Sequence, residues 1–176
     1  GVPSMRDVMR EVTRAVPDPK KGGSVGALWE SRAKTAWAQR TPVTVGGPDR
    51  EFDQQLDRLG SGSDYTAFLD YLGVPSTDMG FSGPSGVYHS VYDNFRWMSL
   101  YGDPDFLYHQ AAARLMGLLT MRMASADVAP LRFSNYARAL REDLDEIRTD
   151  VTRRARTSTG TPFLPEFAPI VTALAE

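Results

Sequence analysis

The sequence feature that most constrains the fold is a periodic apolar stripe in the last third of the chain. Its members recur in alternating steps of three and four residues: Ala137, Leu140, Leu144, Ile147 and Val151. This spacing predicts an α-helix with a narrow apolar seam, which is typical of a helix that pairs with another helix. A second long helix is predicted to start at Asp103-Pro104, with Asp as the N-cap and Pro at the first helical position.

The first hundred residues have a more mixed pattern. Helices are predicted over residues 5–16, 25–39, 64–72 and 90–100, the first and last of them opened by capping boxes at Ser4 and Ser90. Short strands are predicted over residues 56–59 and 76–82. The predicted fold class is therefore mainly α with a few short strands. A domain boundary near Asp103 divides residues 1–102 from residues 103–176.

Composition excludes several classes of function. The formal net charge of −2 over 176 residues gives no basic footprint, so no nucleic-acid partner is expected. The absence of cysteine excludes disulfides and thiolate metal sites. The sequence has no apolar run of the length that a membrane span needs.

Histidine is scarce, and His89 is the more suggestive of the two histidines. It follows Tyr88 in a turn-like stretch, where it is a candidate metal ligand or acid–base group. The alternative is a histidine that only braces the start of a helix. His109 lies inside a predicted helix and has no ligand partners at a suitable spacing, so it is interpreted as a packing or surface residue.

A small-residue turn, Gly60-Ser61-Gly62-Ser63-Asp64, leads into a predicted helix. Such a turn lets backbone amides approach a ligand. It lacks the spacing of a nucleotide-binding loop. A Ser-His-Asp triad could be drawn from Ser61 or Ser63, His89, and Asp64 or Asp93. No nucleophile-elbow pattern supports such a triad.

These segments together resemble the zinc-peptidase family that includes glutamate carboxypeptidase II and the transferrin receptor. The similar segments are LGSGSDYTAFLDYLGVPS at residues 59–76, GVYHSVYDNFRWM at residues 86–98 and YGDPDFLYHQAAA at residues 101–113. The segment GALWESRAKTAW upstream is also similar, and the resemblance covers roughly residues 25–151. Within the family, the chain is most similar to bacterial members.

The resemblance implies roles for five residues. His89 resembles the terminal ligand of a two-zinc centre, and Tyr88 resembles the tyrosine that hydrogen-bonds the tetrahedral intermediate. Ser61, Gly62 and Ser63 resemble the turn that lines the substrate cleft. The other zinc ligands and the Glu general base of the family lie upstream of this region, so we expect the chain alone to bind no zinc stably and to be inactive.

The resemblance also implies an architecture and partners. The chain resembles the last part of an α/β zinc-peptidase catalytic domain joined to the first helices of a dimerisation bundle. Peptide substrates, the remaining part of the same protein and a second copy in a homodimer are the implied partners. Secreted, periplasmic or membrane-associated localisation is expected from the family.

Two departures from the family pattern bear on specificity. Glutamate-preferring members carry Asn at the position of Ser63, and they carry arginines where residues 77–85 contain neither Arg nor Lys. A preference for glutamate is therefore not supported. Two alternatives remain beside the peptidase segment: a transferrin-receptor-like scaffold without enzymatic activity, and a helical oligomerisation module.

Overall fold

A computed structural model describes residues 1–40, 56, 58–83, 85–157 and 165–173, apart from the side chains of residues 37–40 and 157. Its α-helices are α1 (Arg6–Ala15), α2 (Val25–Arg40), α3 (Phe95–Trp97), α4 (Leu107–Ala124), α5 (Ser134–Thr157) and α6 (Ala168–Ala173). A 3₁₀ turn, Pro3–Met5, precedes α1, and two π-helical segments cover Ala67–Tyr71 and Met98–Gly102. None of the described helices is both long and apolar enough to cross a membrane.

The mainly α prediction is confirmed, whereas the two short strands are wrong. Within the described part of residues 56–59 and 76–82, the chain forms no strand, and Asp57 lies outside the described residues. A strand needs partners for its backbone groups, and among the described residues one backbone–backbone hydrogen bond, from Val2 N to Ser76 O at 3.0 Å, joins the second segment to a distant part of the chain.

The helices are predicted more accurately than the residues that cap them. Helix α1 begins at Arg6, after the 3₁₀ turn, so Ser4 is not an N-cap. The Ser4 side chain is fully buried, and its Oγ has no hydrogen-bond partner among the described residues. The π-helical turn at Ala67–Tyr71 ends as predicted before Gly73, which has a φ of +65° that glycine tolerates at no steric cost.

Helices α1 and α2 form a hairpin. Its loop is closed by an isolated antiparallel bridge between Pro17 and Ser24, with Val25 N donating to Val16 O at 2.9 Å. The helices approach closely at Gly26, where a Cβ would lie 2.8 Å from Arg14 N. A side chain at this position would force the two backbones apart.

The main core lies where the N-terminal segment packs against α4. Five residues of that segment and one residue of α4 form its buried cluster: Val2, Met5, Val8, Met9, Val12 and Leu119. The α1 members follow helical spacing, so α1 presents one apolar face to α4. A second buried cluster joins Val16 to Ala111 and Leu115. The core therefore links residues on both sides of the predicted boundary at Asp103, which stays a prediction.

Polar contacts attach the start of α5 to the same N-terminal segment. The buried Arg6 donates from Nη2 to Asn135 Oδ1 at 2.8 Å, and both side chains are almost fully buried. The backbone amide of Arg132 donates to Ser4 O at 2.9 Å. Because a buried guanidinium is costly without partners, these bonds fix α5 beside α1.

The start of α4 is held by the buried carboxylate of Asp103. Its Oδ2 accepts hydrogen bonds from Tyr108 N at 2.9 Å, His109 N at 3.0 Å and His109 Nδ1 at 2.9 Å. Burial by itself raises the pKa of Asp103, but these three bonds outweigh it and hold the pKa below its usual value. The prediction that α4 starts at Asp103-Pro104 is wrong, since the helix begins at Leu107. Asp103 nevertheless supplies the side-chain oxygen that an N-terminus needs.

The α1–α4 core predicts a contrast between two methionines. Met9 is 3% exposed in the core, whereas Met121 of α4 is 63% exposed. Met9→Ala should lower the free energy of unfolding by about 2–5 kcal/mol, because it removes buried apolar atoms and leaves a cavity. Met121→Ala should change it by less than about 0.5 kcal/mol. Urea titration followed by circular dichroism measures both, and equal effects would contradict the assigned core.

Candidate active site

Tyr88 and His89 occupy the central positions of a tight turn. Ser90 N donates to Val87 O at 3.0 Å, which closes the turn around the two side chains. The rings of Tyr88 and His89 stack with their centroids 4.0 Å apart and their planes 25° from parallel. The side chains of Tyr88 and His89, which are consecutive in the sequence, therefore lie against each other in this turn.

His89 has a left-handed backbone, with a φ of +60°. A φ in this region at the third position of a turn usually selects glycine, because the Cβ of other residues is crowded there. Such a conformation costs about 1–2 kcal/mol for a residue with a side chain. Backbone strain of this kind clusters at functional sites, so the conformation raises the hypothesis of a function for the His89 side chain.

The turn is open to solvent. Tyr88 is 76% exposed, and Val91, Tyr92 and Phe95 around it are also exposed. Among the described residues, neither ring nitrogen of His89 has a hydrogen-bond partner. The imidazole is therefore accessible to a ligand or to another part of a larger protein.

The helix that follows the turn starts later than the sequence predicts. Helix α3 begins at Phe95, and Asn94 is its N-cap, accepting from Trp97 N at 3.1 Å. The capping box assigned to Ser90 is therefore wrong. The Ser90 hydroxyl is instead bonded within the turn, where it donates to Val87 O at 2.6 Å.

The Gly-Ser-Gly turn is also exposed, with a φ of +95° at Gly62. Ser63 O accepts from Thr66 N at 3.0 Å, which begins the helical turn through Leu72. Among the described residues, no hydrogen bond or ring contact joins Ser61, Gly62 or Ser63 to Tyr88 or His89. Their shared role in a substrate cleft stays a prediction.

The part of the chain that the structure describes does not by itself fit a two-zinc centre. A catalytic zinc takes about three protein ligands plus water. Within the described ranges, no group of three or more His, Cys, Asp or Glu side chains could hold a metal ion. His89 can offer one imidazole nitrogen, and the further ligands of such a centre would have to come from other residues.

Two features were missed by the sequence analysis. His109 donates to the buried Asp103, so it serves the start of α4, and the signal was an Asp six residues before it. In addition, the described residues form a cavity of about 650 Å³ beside the α1–α2 hairpin, whose aromatic lining includes Trp29, Phe81 and Tyr108. None of the five predicted site residues lines this cavity.

Several curated proteins are similar to this chain. It is 40% identical over 148 residues to "Probable glutamate carboxypeptidase LAMP1" of Arabidopsis thaliana, a match that covers 84% of the chain and 19% of the relative. It is 28% identical over 186 residues to "Aminopeptidase NAALADL1" of Mus musculus, covering 99% and 23%. It is 33% identical over 86 residues to "Vacuolar protein sorting-associated protein 70" of Saccharomyces cerevisiae, covering 46% and 10%.

The first two of these matches span about a fifth of the relatives' own length. The three relatives come from a plant, a mouse and a yeast, so the bacterial origin expected from the resemblance stays a prediction. No family model matches the chain. No solved structure matches it either.

The strained turn predicts that glycine replaces His89 without loss of stability. His89→Gly removes about 1–2 kcal/mol of left-handed strain, and the added backbone entropy costs roughly 0.5–1 kcal/mol. The melting temperature should therefore stay constant or rise. Tyr92→Gly is the matched control, an exposed aromatic residue of the same loop without a positive φ. It should lower the melting temperature, and a clear fall in His89→Gly instead would assign His89 a structural role.

Proposed function

We infer the function of this chain from its family, because the chain belongs to the glutamate carboxypeptidase II and transferrin receptor-like family of peptidases. We propose that it forms part of a metallopeptidase that hydrolyses short peptides. The observation that carries the proposal is the solvent-exposed Tyr88-His89 turn with its left-handed histidine. A side chain held at an energetic cost and left open to solvent is expected where chemistry occurs.

Each proposed site residue has a separate role. His89 offers one imidazole ligand to a zinc centre whose other ligands lie elsewhere in the polypeptide. Tyr88 donates a phenolic hydrogen bond to the oxygen that becomes negatively charged in the tetrahedral intermediate. Ser61, Gly62 and Ser63 line the cleft that holds the substrate. The zinc, when bound, would supply a water of lowered pKa at the reacting carbonyl.

The surface around the turn supports a place within a larger protein. Val91, Tyr92 and Phe95 are exposed beside Tyr88 and His89, and Tyr71 and Leu72 are exposed on the π-helical turn. A contiguous exposed apolar patch usually marks a contact surface, and Val91, Tyr92 and Phe95 lie within eight residues of one another and of the turn. We propose that the rest of the catalytic domain covers them and brings the remaining ligands to His89.

The scaffold alternative has an observation in its favour. One relative is named for vacuolar protein sorting rather than for hydrolysis. A family member of that kind would keep the fold and the helix pairing without turnover. Hydrolysis by the whole polypeptide separates the two functions.

The peptidase proposal predicts different effects for two tyrosines. In a polypeptide that joins this chain to the rest of the catalytic domain, Tyr88→Phe should lower kcat by about 100- to 1,000-fold, because it removes a hydrogen bond to the oxyanion. Tyr92→Phe, an exposed tyrosine of the same loop, should leave kcat unchanged. Steady-state hydrolysis of a panel of dipeptides gives both values. Absence of any zinc-dependent turnover in the unsubstituted polypeptide would favour the scaffold.

We also propose that α5 pairs with its counterpart in a second copy of the chain. Leu144 is buried within the chain, whereas Leu140 and Ile147 of the same stripe are 51% and 53% exposed. The apolar stripe of α5 is therefore only partly buried within the chain, although its residues recur every three or four positions. Such a stripe is typical of helices that pair between subunits.

The dimer proposal predicts that one seam substitution separates the subunits. Ile147→Asp places a charge in the seam without touching the buried core, so it should give a monomer with an unchanged melting temperature of the fold. Asp145→Asn, on another face of α5, should remain dimeric. Light scattering of the purified variants measures the mass, and a dimer that survives Ile147→Asp would place the interface elsewhere.

A further inference from the structure

The hydroxyl of Ser90 holds the Tyr88-His89 turn from both sides. It donates to Val87 O at 2.6 Å, before the two aromatic residues, and accepts from Tyr92 N at 3.2 Å, after them. Ser90 N donates to the same Val87 O at 3.0 Å. Val87 O therefore accepts two hydrogen bonds from Ser90, one from the backbone amide and one from the hydroxyl. Tyr88 and His89 lie between these two residues.

The direction of the His89 ring depends on this turn. A left-handed φ fixes the Cα–Cβ bond in a direction that an ordinary turn would not give. Apart from the stacked ring of Tyr88, no described side chain contacts the imidazole through a hydrogen bond or ring contact. The backbone conformation therefore sets the direction of the Cα–Cβ bond from which the imidazole ring extends.

We propose that Ser90 is a positioning residue, whose hydroxyl keeps His89 in the left-handed conformation that aims its imidazole at the reacting centre. This inference rests on the proposed peptidase function. The hydroxyl offsets the strain at His89 with two local hydrogen bonds, whose net stabilisation is of the same order as the cost of the left-handed conformation.

The usual role of a serine at this place is already taken by another residue. Asn94 caps α3 through Trp97 N, and its Nδ2 donates to Val91 O at 3.0 Å, which closes the other end of the loop. Ser90 lies four residues before that cap and donates backwards to the turn. Its hydroxyl therefore serves His89 and not the helix.

The first experiment measures the backbone of His89 in this chain. The one-bond Cα–Hα coupling, measured by nuclear magnetic resonance, separates positive from negative φ. Ser90→Ala should move the His89 value toward that of a negative φ, and Ser90→Thr, which keeps the hydroxyl, should restore it. Ser99→Ala is the matched control, because Ser99 Oγ also donates to a carbonyl three residues earlier, Arg96 O at 3.1 Å. An unchanged coupling in Ser90→Ala overturns the proposal.

The second experiment measures turnover in a polypeptide that joins this chain to the rest of the catalytic domain. Ser90→Ala should lower kcat by about tenfold or more, as expected for a residue that orients a ligand. KM should change by less than about twofold, because the substrate contacts remain. Ser90→Thr should recover kcat, and Ser99→Ala should match the unsubstituted protein.

The two proposals fail in different ways. If His89→Ala and Tyr88→Phe leave hydrolysis intact, the proposed function is wrong. If they abolish it while Ser90→Ala retains full kcat, the peptidase stands and the positioning role of Ser90 is overturned. A shifted coupling together with full kcat also overturns it, because the conformation would then not matter for turnover.

Discussion

The packing of the N-terminal segment against α4 is the contact on which the rest of the structure depends. Val8, Met9 and Val12 present one face of α1 to Leu119, and each is almost fully buried. Helix α2 then folds back on α1 through the close approach at Gly26, and α5 is joined to it through Arg6 and Asn135. The positions of α2 and α5 are thus set by their contacts with α1, which is itself packed in the core.

Asp103 connects the core helix α4 to the segment that follows the candidate site. Asp103 directly follows the π-helical segment Met98–Gly102, and its backbone amide donates to Met98 O at 2.9 Å. Its carboxylate holds the start of α4. Phe106, itself in a left-handed conformation, stacks on Phe95 with ring centroids 5.8 Å apart. The segment that follows the Tyr88-His89 turn is therefore fixed to the start of α4 by a buried carboxylate and an aromatic pair.

The sequence predicts the existence of α1 and α4 because the apolar residues that recur along them pack against each other within this chain. It predicts the strands at residues 56–59 and 76–82 wrongly because a strand depends on a neighbouring strand, and within the described residues one backbone–backbone hydrogen bond, from Val2 N to Ser76 O, reaches these segments from a distant part of the chain. The choice between Ser90 and Asn94 as a cap could not be made from residue types, since both favour N-caps. The left-handed φ of His89 could not be predicted from the residue type, because most histidines have a negative φ even though histidine is enriched among the non-glycine residues with a positive one.

The buried clusters and the candidate site lie on different parts of this chain. The buried clusters involve α1 and α4, whereas Tyr88, His89 and the Gly-Ser-Gly turn are exposed and held by short-range hydrogen bonds. A turn that draws little support from the core must define its own geometry, and the bonds of Ser90 and Asn94 do so within eight residues of chain, from Val87 to Asn94. Local closure of this kind keeps the left-handed turn in place while the side chain of His89 faces solvent, as the proposed completion of the site by other residues requires.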